Sequence, residues 1–390
     1  MHPSIAMDST AADSTAVDNG RAVPTRTAAT LAAVFANVLW QDVQRLRDAL
    51  PDLPANVLLH AGPAYGDQAV PAPVRHAAAH AIVYEGAATG MAQAFALIDS
   101  GAYRFMPAQD VGVVTPLAQV VTASMPVLVA GDGITAAYAP IAEGPPPAVR
   151  FGSPDPVCGA KLQSMSALVL GPVAHAVRAA PVALAAVIEQ ALQDQDECHA
   201  RTGAANAALL AHLPALDDAS RATLAANPGF VLTLIMAASA WVLRHGKGPL
   251  LAAGGNGLAF GIRLKDETAW RTASATPPVG THFPAHAAST PLGAIGDSAV
   301  IDCCGLGGQA IGFAPALLDE WRATLPADAA ARGSQVIDPV TGTLDFRRMA
   351  ATGLAPAIHL AMVDRAGMAG LIGRGVYTPP VALFALKEPS

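Results

Sequence analysis

The stretch Val300–Phe313, which carries IDCCGLGGQAIGF, constrains this chain more than any other. An apolar run ends in Gly305-Leu306-Gly307-Gly308, entered through Gly296-Asp297-Ser298. Glycines at such a point permit positive φ and close approach of the backbone to a neighbour. The pattern predicts a buried strand over 300–304, a tight turn, and a helix over Gln309–Trp321. Free N–H groups at the start of a helix can hold an anion. The turn is therefore either purely structural or a cradle for an anion or substrate, and its spacing is not the G-x-G-x-x-G dinucleotide fingerprint.

A chain of 390 residues has room for two or three packed units. It is 52% hydrophobic but only 14% charged and 5% aromatic, which favours tightly packed Ala-rich helices over a base-stacking surface. With a net charge of −7 and no dense Lys/Arg block, neither nucleic acid nor an acidic membrane face is expected as the main partner. No apolar run reads as a bilayer span; Phe230–Leu243 comes nearest and reads as a buried central helix. Residues 1–25 show no periodicity and are expected to be a disordered leader, without the order of a secretory signal. Cys158, Cys198, Cys303 and Cys304 include an adjacent pair and form no disulfide framework, so they are read as reduced thiols of a cytoplasmic protein.

Taken in order, Ala28–Leu50 reads as a helix on the spacing of Leu31, Val34, Leu39, Val43 and Leu46. Asn56–Leu59 is a short strand ending at His60-Ala61-Gly62-Pro63, where His60 is either a site residue at a strand end or a core histidine. Val74–Ser100 reads as one long helix. It carries His76 and His80 four apart, a spacing that can bind metal but lacks a third ligand here, so no metal is expected. Glu85, before Gly86, is either a buried acid or a solvated side chain. A strand is expected over Met125–Ala130, and Glu143-Gly144-Pro145-Pro146-Pro147 is a stiff connector near a unit boundary.

Pro181–Leu213 is the second informative stretch. Its apolar stripe of Leu184, Ile188 and Ala191, continued at helical spacing, runs into Gln195, Cys198, His199, Thr202 and Asn206. Either the helix end is exposed or its buried face turns polar at a site. In the second case Asp196 orients His199, Glu197 and Arg201 pair at i,i+4, and buried polar groups find partners there. Leu250–Ala253 and Leu258–Leu264 are two strands around Asn256-Gly257, a hairpin signal that gives Asn256 a structural reason to be present. Trp270–His286 reads as loop, as does the glycine-rich segment around Gly367, Gly370, Gly373 and Gly375. The expected fold class is mixed α/β, with helical layers on short sheets and at least two subdomains. These are an α/β unit over 26–150, a mainly helical unit over 151–248 and an α/β unit over 249–390.

Several motifs match one family together and in order: LLHAGP at 58–63, YEG at 84–86, SMPV at 124–127, VRFG at 149–152, DECHAR at 196–201, NGLAFGI at 256–262, GDSAVIDCCGLGGQAIGFAPA at 296–316 and LIGRG at 371–375. With these, the chain resembles the DUF1116 (YlbE-like) family, which includes one subunit type of oxamate carbamoyltransferase. The resemblance implies an α/β fold and chemistry on small amide, carbamoyl or ureido compounds, with carbamoyl phosphate, oxamate and oxalurate as described substrates. It carries over His60, Glu85, Arg150, Asp196, Glu197, His199, Arg201, Asn256, Asp297 and Ser298 as matched polar positions. The chain departs from the family where members have Cys-His-His-His and it reads Ala108-Gln109-Asp110-Val111. It departs again where they have Asn-Asp-His and it reads Asn227-Pro228-Gly229, and in a shortened N-terminal Rossmann-like segment.

The expected chemistry follows. His199, oriented by Asp196, acts as general acid/base, with Glu85 and His60 as further catalytic candidates. Arg150 or Arg201 grips a carboxylate. Asn256, Asp297, Ser298 and the backbone of Gly305, Gly307 and Gly308 face the carbonyl oxygen, phosphate or carboxylate of a small-molecule substrate. Cys303 or Cys304 is either a nucleophile or small apolar packing. No cofactor is expected, and a homo-oligomer or a place as one subunit of a larger complex is. Three readings stand: carbamoyl transfer or C–N hydrolysis, a non-catalytic subunit or ligand-binding scaffold, and a diverged biosynthetic enzyme working on another C–N bond.

Overall fold

A computed structural model describes residues 26–386, together with two short strands, Val17–Asp18 and Arg21–Ala22, that pair antiparallel. The leader expected over 1–25 otherwise lies outside the described residues. The fold class is the mixed α/β one expected, with helices packed on several small sheets.

The helix Gly229–His245 is the hub. Its sequence is almost wholly apolar up to Leu243, and such a helix is stable only when surrounded. Phe230, Val231, Leu234, Ile235, Met236 and Leu243 are all buried. It packs against the strands Pro126–Gly131, Ala136–Pro140 and Leu250–Asn256 and against the short helix Ala299–Cys303. One antiparallel sheet runs Ala136–Pro140, Pro126–Gly131, Leu39–Arg45, Val182–Ala183, so the residue range expected as a helical unit supplies an edge strand to the first sheet. A second sheet runs Arg271–Ser274, Ala259–Leu264, Leu250–Asn256, Ile295–Gly296. A third has Val279–His282, Leu371–Tyr377 and Ile358–Val363, and Val57–His60 pairs in parallel with Arg104–Pro107. The main core is continuous from Leu31 to Phe384.

Several expected elements are corrected. Ala28–Leu50 is not one helix: a helix over Ala28–Ala32 gives way to the strand Leu39–Arg45 and a single turn, Leu46–Ala49. Leu39 and Val43 fit helical spacing, but pairing with Pro126–Gly131 through a bulge between Trp40 and Asp42 overrides that local pattern. The long helix expected over 74–100 is two, Ala72–Tyr84 and Met91–Asp99, broken after Glu85 where Gly86 adopts φ +74°. Pro181–Leu213 is likewise two helices, Leu184–Gln193 and Gly203–Ala211.

The run Val300–Cys304 is not a strand but belongs to the helix Ala299–Cys303, because a run this short has no periodicity that separates the two. Beyond it lie two 3-10 turns, and the regular helix covers only Pro315–Glu320. The segment read as loop at 270–286 contains the strands Arg271–Ser274 and Val279–His282, and the glycine-rich one at 367–375 runs into the strand Leu371–Tyr377. The hairpin over 250–264 forms as expected, with its first strand running on to Asn256. One helical stretch, Val157–Ala179, is long and apolar enough to cross a bilayer by length and composition, against the expectation that none is. It is kinked at Gly171 and buries Leu162, Met165, Val169 and Val173 in the core.

Candidate active site

The site forms where the loop between the helices Leu184–Gln193 and Gly203–Ala211 meets the glycine turn. Gln195 and Cys198 adopt positive φ, 63° and 69°, values that non-glycine residues take only when their surroundings impose them. Asp196 does the imposing. Its carboxylate accepts from the N–H groups of Cys198 at 2.8 Å, Ala204 at 2.9 Å and Ala205 at 3.1 Å. Burial pushes this carboxyl up to about 6, and the backbone donors pull against that rise. Asp196 is thus occupied with the loop and does not orient His199, and the polar positions expected on one helix face lie on a turn and the following helix.

The partner of His199 is Asp302, which no motif reading had singled out: His199 Nδ1 lies 2.8 Å from Asp302 Oδ2. The second oxygen of Asp302 accepts from Gly308 N–H at 2.8 Å and from the backbone N–H of His359 at 3.3 Å. Burial alone would lower the His199 pKa, but the charge and hydrogen bond of Asp302, with Glu197 adding to them, reverse this and hold it above the usual imidazole value. Gly307 N–H donates to Glu197 O at 2.8 Å. The N–H groups of Gly307 and Gly308, expected to hold an external anion, are therefore committed internally; the turn supports the carboxylate behind His199. The carbonyl of Gly305 accepts from Arg26 at 2.8 Å.

A second pair lies alongside. His359, in the strand Ile358–Val363, places Nδ1 3.0 Å from Glu197 Oε1. Glu197 also accepts from the N–H groups of Ala200 and, at 3.0 Å, Arg201. Burial would raise the Glu197 carboxyl; the hydrogen bond and charge of His359 and the loop donors outweigh it and hold it below its usual range. The two imidazole rings are 6.2 Å apart, and Trp321 meets His359 edge-on at 5.0 Å.

Both histidines line a cavity of about 280 Å³ together with Arg150, Ser298, Trp321 and Arg374. That is ample for a small metabolite. Arg150 is held by Glu143 at 3.3 Å and lies over the Phe151 ring at 4.5 Å. Burial lowers the Arg150 pKa and Glu143 works against this, so the guanidinium stays charged. Gly229 is on the wall too, where a Cβ would stand 3.4 Å from Arg150 Nη2.

The structure brings His199, Arg150 and Ser298 together at this cavity and leaves the other expected site residues elsewhere. His60 is buried against Tyr65, its rings 4.5 Å apart, with Nδ1 on Ala61 O, and burial lowers its pKa to about 4. Glu85 accepts from Ser124 N–H at 2.7 Å, tying a helix end to a strand entry. Arg201 faces Glu320 at 3.8 Å in a partly exposed pair. Asn256 closes the hairpin by accepting from Leu258 and Ala259 N–H and donating to Pro63 O. Asp297 accepts from Gly62 N–H at 2.8 Å, Gln109 Nε2 at 2.6 Å and Thr115 N–H at 2.9 Å, and burial pushes it up to about 7. Gln109, in the segment where the family has its histidine run, also bonds both backbone groups of Ala253, so that segment works in this clamp and not on the cavity wall. His76 and His80 point their rings at the carbonyls of Gly152 and Ser153. All four cysteines are buried and free, and burial holds the Cys303 and Cys304 thiols well above their usual range, which suits packing and not nucleophilic attack.

His359 and Asp302 were the residues that sequence reasoning missed. The signal was present: each is a lone polar side chain inside an apolar run, Ile358-His359-Leu360 and Ile301-Asp302-Cys303.

A mixed α/β scaffold enclosing a small cavity with two carboxylate-held imidazoles and an arginine defines a candidate small-molecule enzyme. A family model described as "Oxamate carbamoyltransferase subunit AllG" matches residues 103–298, half of the chain, and the chain belongs to that family. It is 28% identical over 386 residues to the oxamate carbamoyltransferase subunit AllG of Escherichia coli (strain K12), a match covering 88% of this chain and 91% of that one. It is 25% identical to the uncharacterized protein YahG of the same organism, over 86% of this chain and 79% of that protein. The crystal structure of a conserved protein of unknown function from Enterococcus faecalis V583 has the same fold, with a TM-score of 0.79 at 24% identity, covering 91% of this chain and 94% of that chain.

Proposed function

We propose that this protein catalyses reaction at a carbonyl carbon flanked by nitrogen in a small compound bearing a carboxylate or phosphate. Carbamoyl transfer is the reaction to which the name of the E. coli AllG relative points. One observation carries the reading: a histidine kept basic by a buried carboxylate shares a small cavity with the Arg150 guanidinium. Arg150 grips the anionic end of the substrate. His199, as imidazolium, gives its Nε2 proton to the leaving atom as the bond to the carbonyl carbon breaks. Ser298 lines the same cavity, and in this reading its hydroxyl donates to the carbonyl oxygen.

The test is turnover by the purified protein with carbamoyl phosphate as donor and oxamate or other small amide and ureido acids as acceptors, the products read by mass spectrometry. The expected result is a carbamoylated acceptor, with kcat reduced roughly 10²–10⁴-fold in His199→Gln. A second reading rests on the AllG relative being named as a subunit: the chain binds the small molecule but completes its site only within an assembly. Saturable protection against thermal unfolding by oxamate, with no product from the isolated protein, supports that reading over the first.

A further inference from the structure

We propose that His359, backed by Glu197, is a second catalytic acid–base group, taking the proton of the acceptor while His199 supplies one to the leaving group. The inference rests on the reading of the cavity given above. Its starting point is an unpartnered atom. His359 is fully buried, its Nδ1 is spoken for by Glu197, and its Nε2 has no hydrogen-bond partner among the described residues, although the residue lines the cavity. A buried polar nitrogen left unpaired carries the full cost of its lost hydration. Such an atom calls for a partner from outside the chain, a water, an ion or a ligand, and of the unpartnered buried atoms this one belongs to a residue that lines the cavity beside His199.

The surroundings of the ring separate its role from that of His199. Glu197 comes from the 194–202 loop, and Trp321 packs edge-on against the ring. Asp302, from the helix Ala299–Cys303, meets His359 at its backbone N–H and not at its ring, sharing that oxygen with Gly308 N–H, and directs its other oxygen to His199. Each imidazole thus has its own carboxylate on Nδ1 and its Nε2 left for the substrate. Arg150 and Arg374 are the cations on the same cavity wall, and they disfavour placing positive charge on both rings at once.

Transfer moves two protons, and two rings 6.2 Å apart can handle one each. The nitrogen of an amine acceptor, or the oxygen of water, forms its bond to the carbonyl carbon and gives its proton to neutral His359 Nε2. The bond from that carbon to the leaving atom breaks with its electron pair on the leaving atom, which takes the Nε2 proton of imidazolium His199. His359 ends charged and His199 neutral, and exchange with water restores both. No oxidant, reductant or additional reactant is involved.

The experiment is the pH dependence of kcat/KM for carbamoyl phosphate and oxamate with the wild type, His359→Gln, Glu197→Gln and His199→Gln. It is joined to a titration of the ring nitrogens of the wild-type protein by NMR after ¹⁵N-histidine labelling. The expected wild-type profile is a bell whose acidic limb coincides with the titration of His359. His359→Gln lowers kcat at least roughly 10²-fold and abolishes that limb, while His199→Gln abolishes the alkaline one. Glu197→Gln displaces the acidic limb. Turnover in the wild type with an acidic limb that matches no His359 titration overturns the inference and leaves the proposed function intact, and needs no variant to fold. Full activity of a folded His359→Gln protein does the same. Absence of turnover in the wild type overturns both.

Discussion

His199 and Asp302 stand 103 positions apart in the chain, and their contact decides how the imidazole behaves. Because the folded pKa is raised, folding takes up a proton that the unfolded chain releases first as pH rises. The stability this contributes is complete below the unfolded value of about 6.5 and is lost as pH climbs through the folded one. Asp302→Asn removes the charge that reverses the effect of burial, so the His199 pKa falls. Two measurements check this: the alkaline limb of kcat/KM moves to lower pH, and the loss of stability on raising the pH above neutrality flattens in urea titrations. An unchanged alkaline limb would show that Asp302 does not set the proton affinity of His199. His199 was legible in the sequence because a polar set interrupted an apolar stripe. Its partner was not, because Asp302 sits four residues after Ser298 in a run whose hydrophobicity masks one carboxylate, and spacing says nothing about contacts made across the fold. Asp196, close in sequence, was the natural candidate; the backbone donors of its own loop claim it instead.

At the scale of elements, Asp297 joins what the sheets do not. It receives Gly62 from the end of one strand, Gln109 from a 3-10 turn and Thr115 from the segment that follows. Asn at this position keeps one acceptor and turns an N–H₂ group toward N–H donors, leaving at least one unsatisfied. Asp297→Asn is expected to cost about 1–3 kcal/mol in urea unfolding at pH 5. The carboxyl titrates near 7 when folded and near 4 when unfolded, so the wild type loses stability as pH rises between those values and the variant does not. The deficit therefore narrows by pH 8; a gap that widens instead would mean that Asp297 is ionised throughout. The elements read correctly from sequence were those with one unambiguous signal, the almost wholly apolar helix Gly229–His245 and the hairpin at Asn256-Gly257. Those misread, at 28–50 and 300–304, carry apolar spacings that suit either a helix or a strand until a neighbour selects one.

For the whole molecule, connectivity outweighs the divisions drawn along the chain. The strand Val182–Ala183 closes a sheet made from residues 39–140, and the hub helix Gly229–His245 touches elements on either side of position 248. The cavity draws on Arg150, His199, Ser298 and His359, one from each of four distant stretches. Limited proteolysis is accordingly expected to yield no long-lived fragment ending near 150 or near 248, with oxamate-protected and unprotected samples cut alike at those places. A stable product at either boundary would favour the independent units expected along the chain.

The glycine at 307 sets a limit on how this sequence can drift. A Cβ there would stand 2.3 Å from Asp302 Oδ1 and 3.1 Å from the Cβ of His199, on a backbone whose φ is +54°. Any side chain at that position must displace the carboxylate, the histidine or the turn. A substitution that brings no polar group of its own would therefore register as altered proton affinity in a ring it was never built to touch.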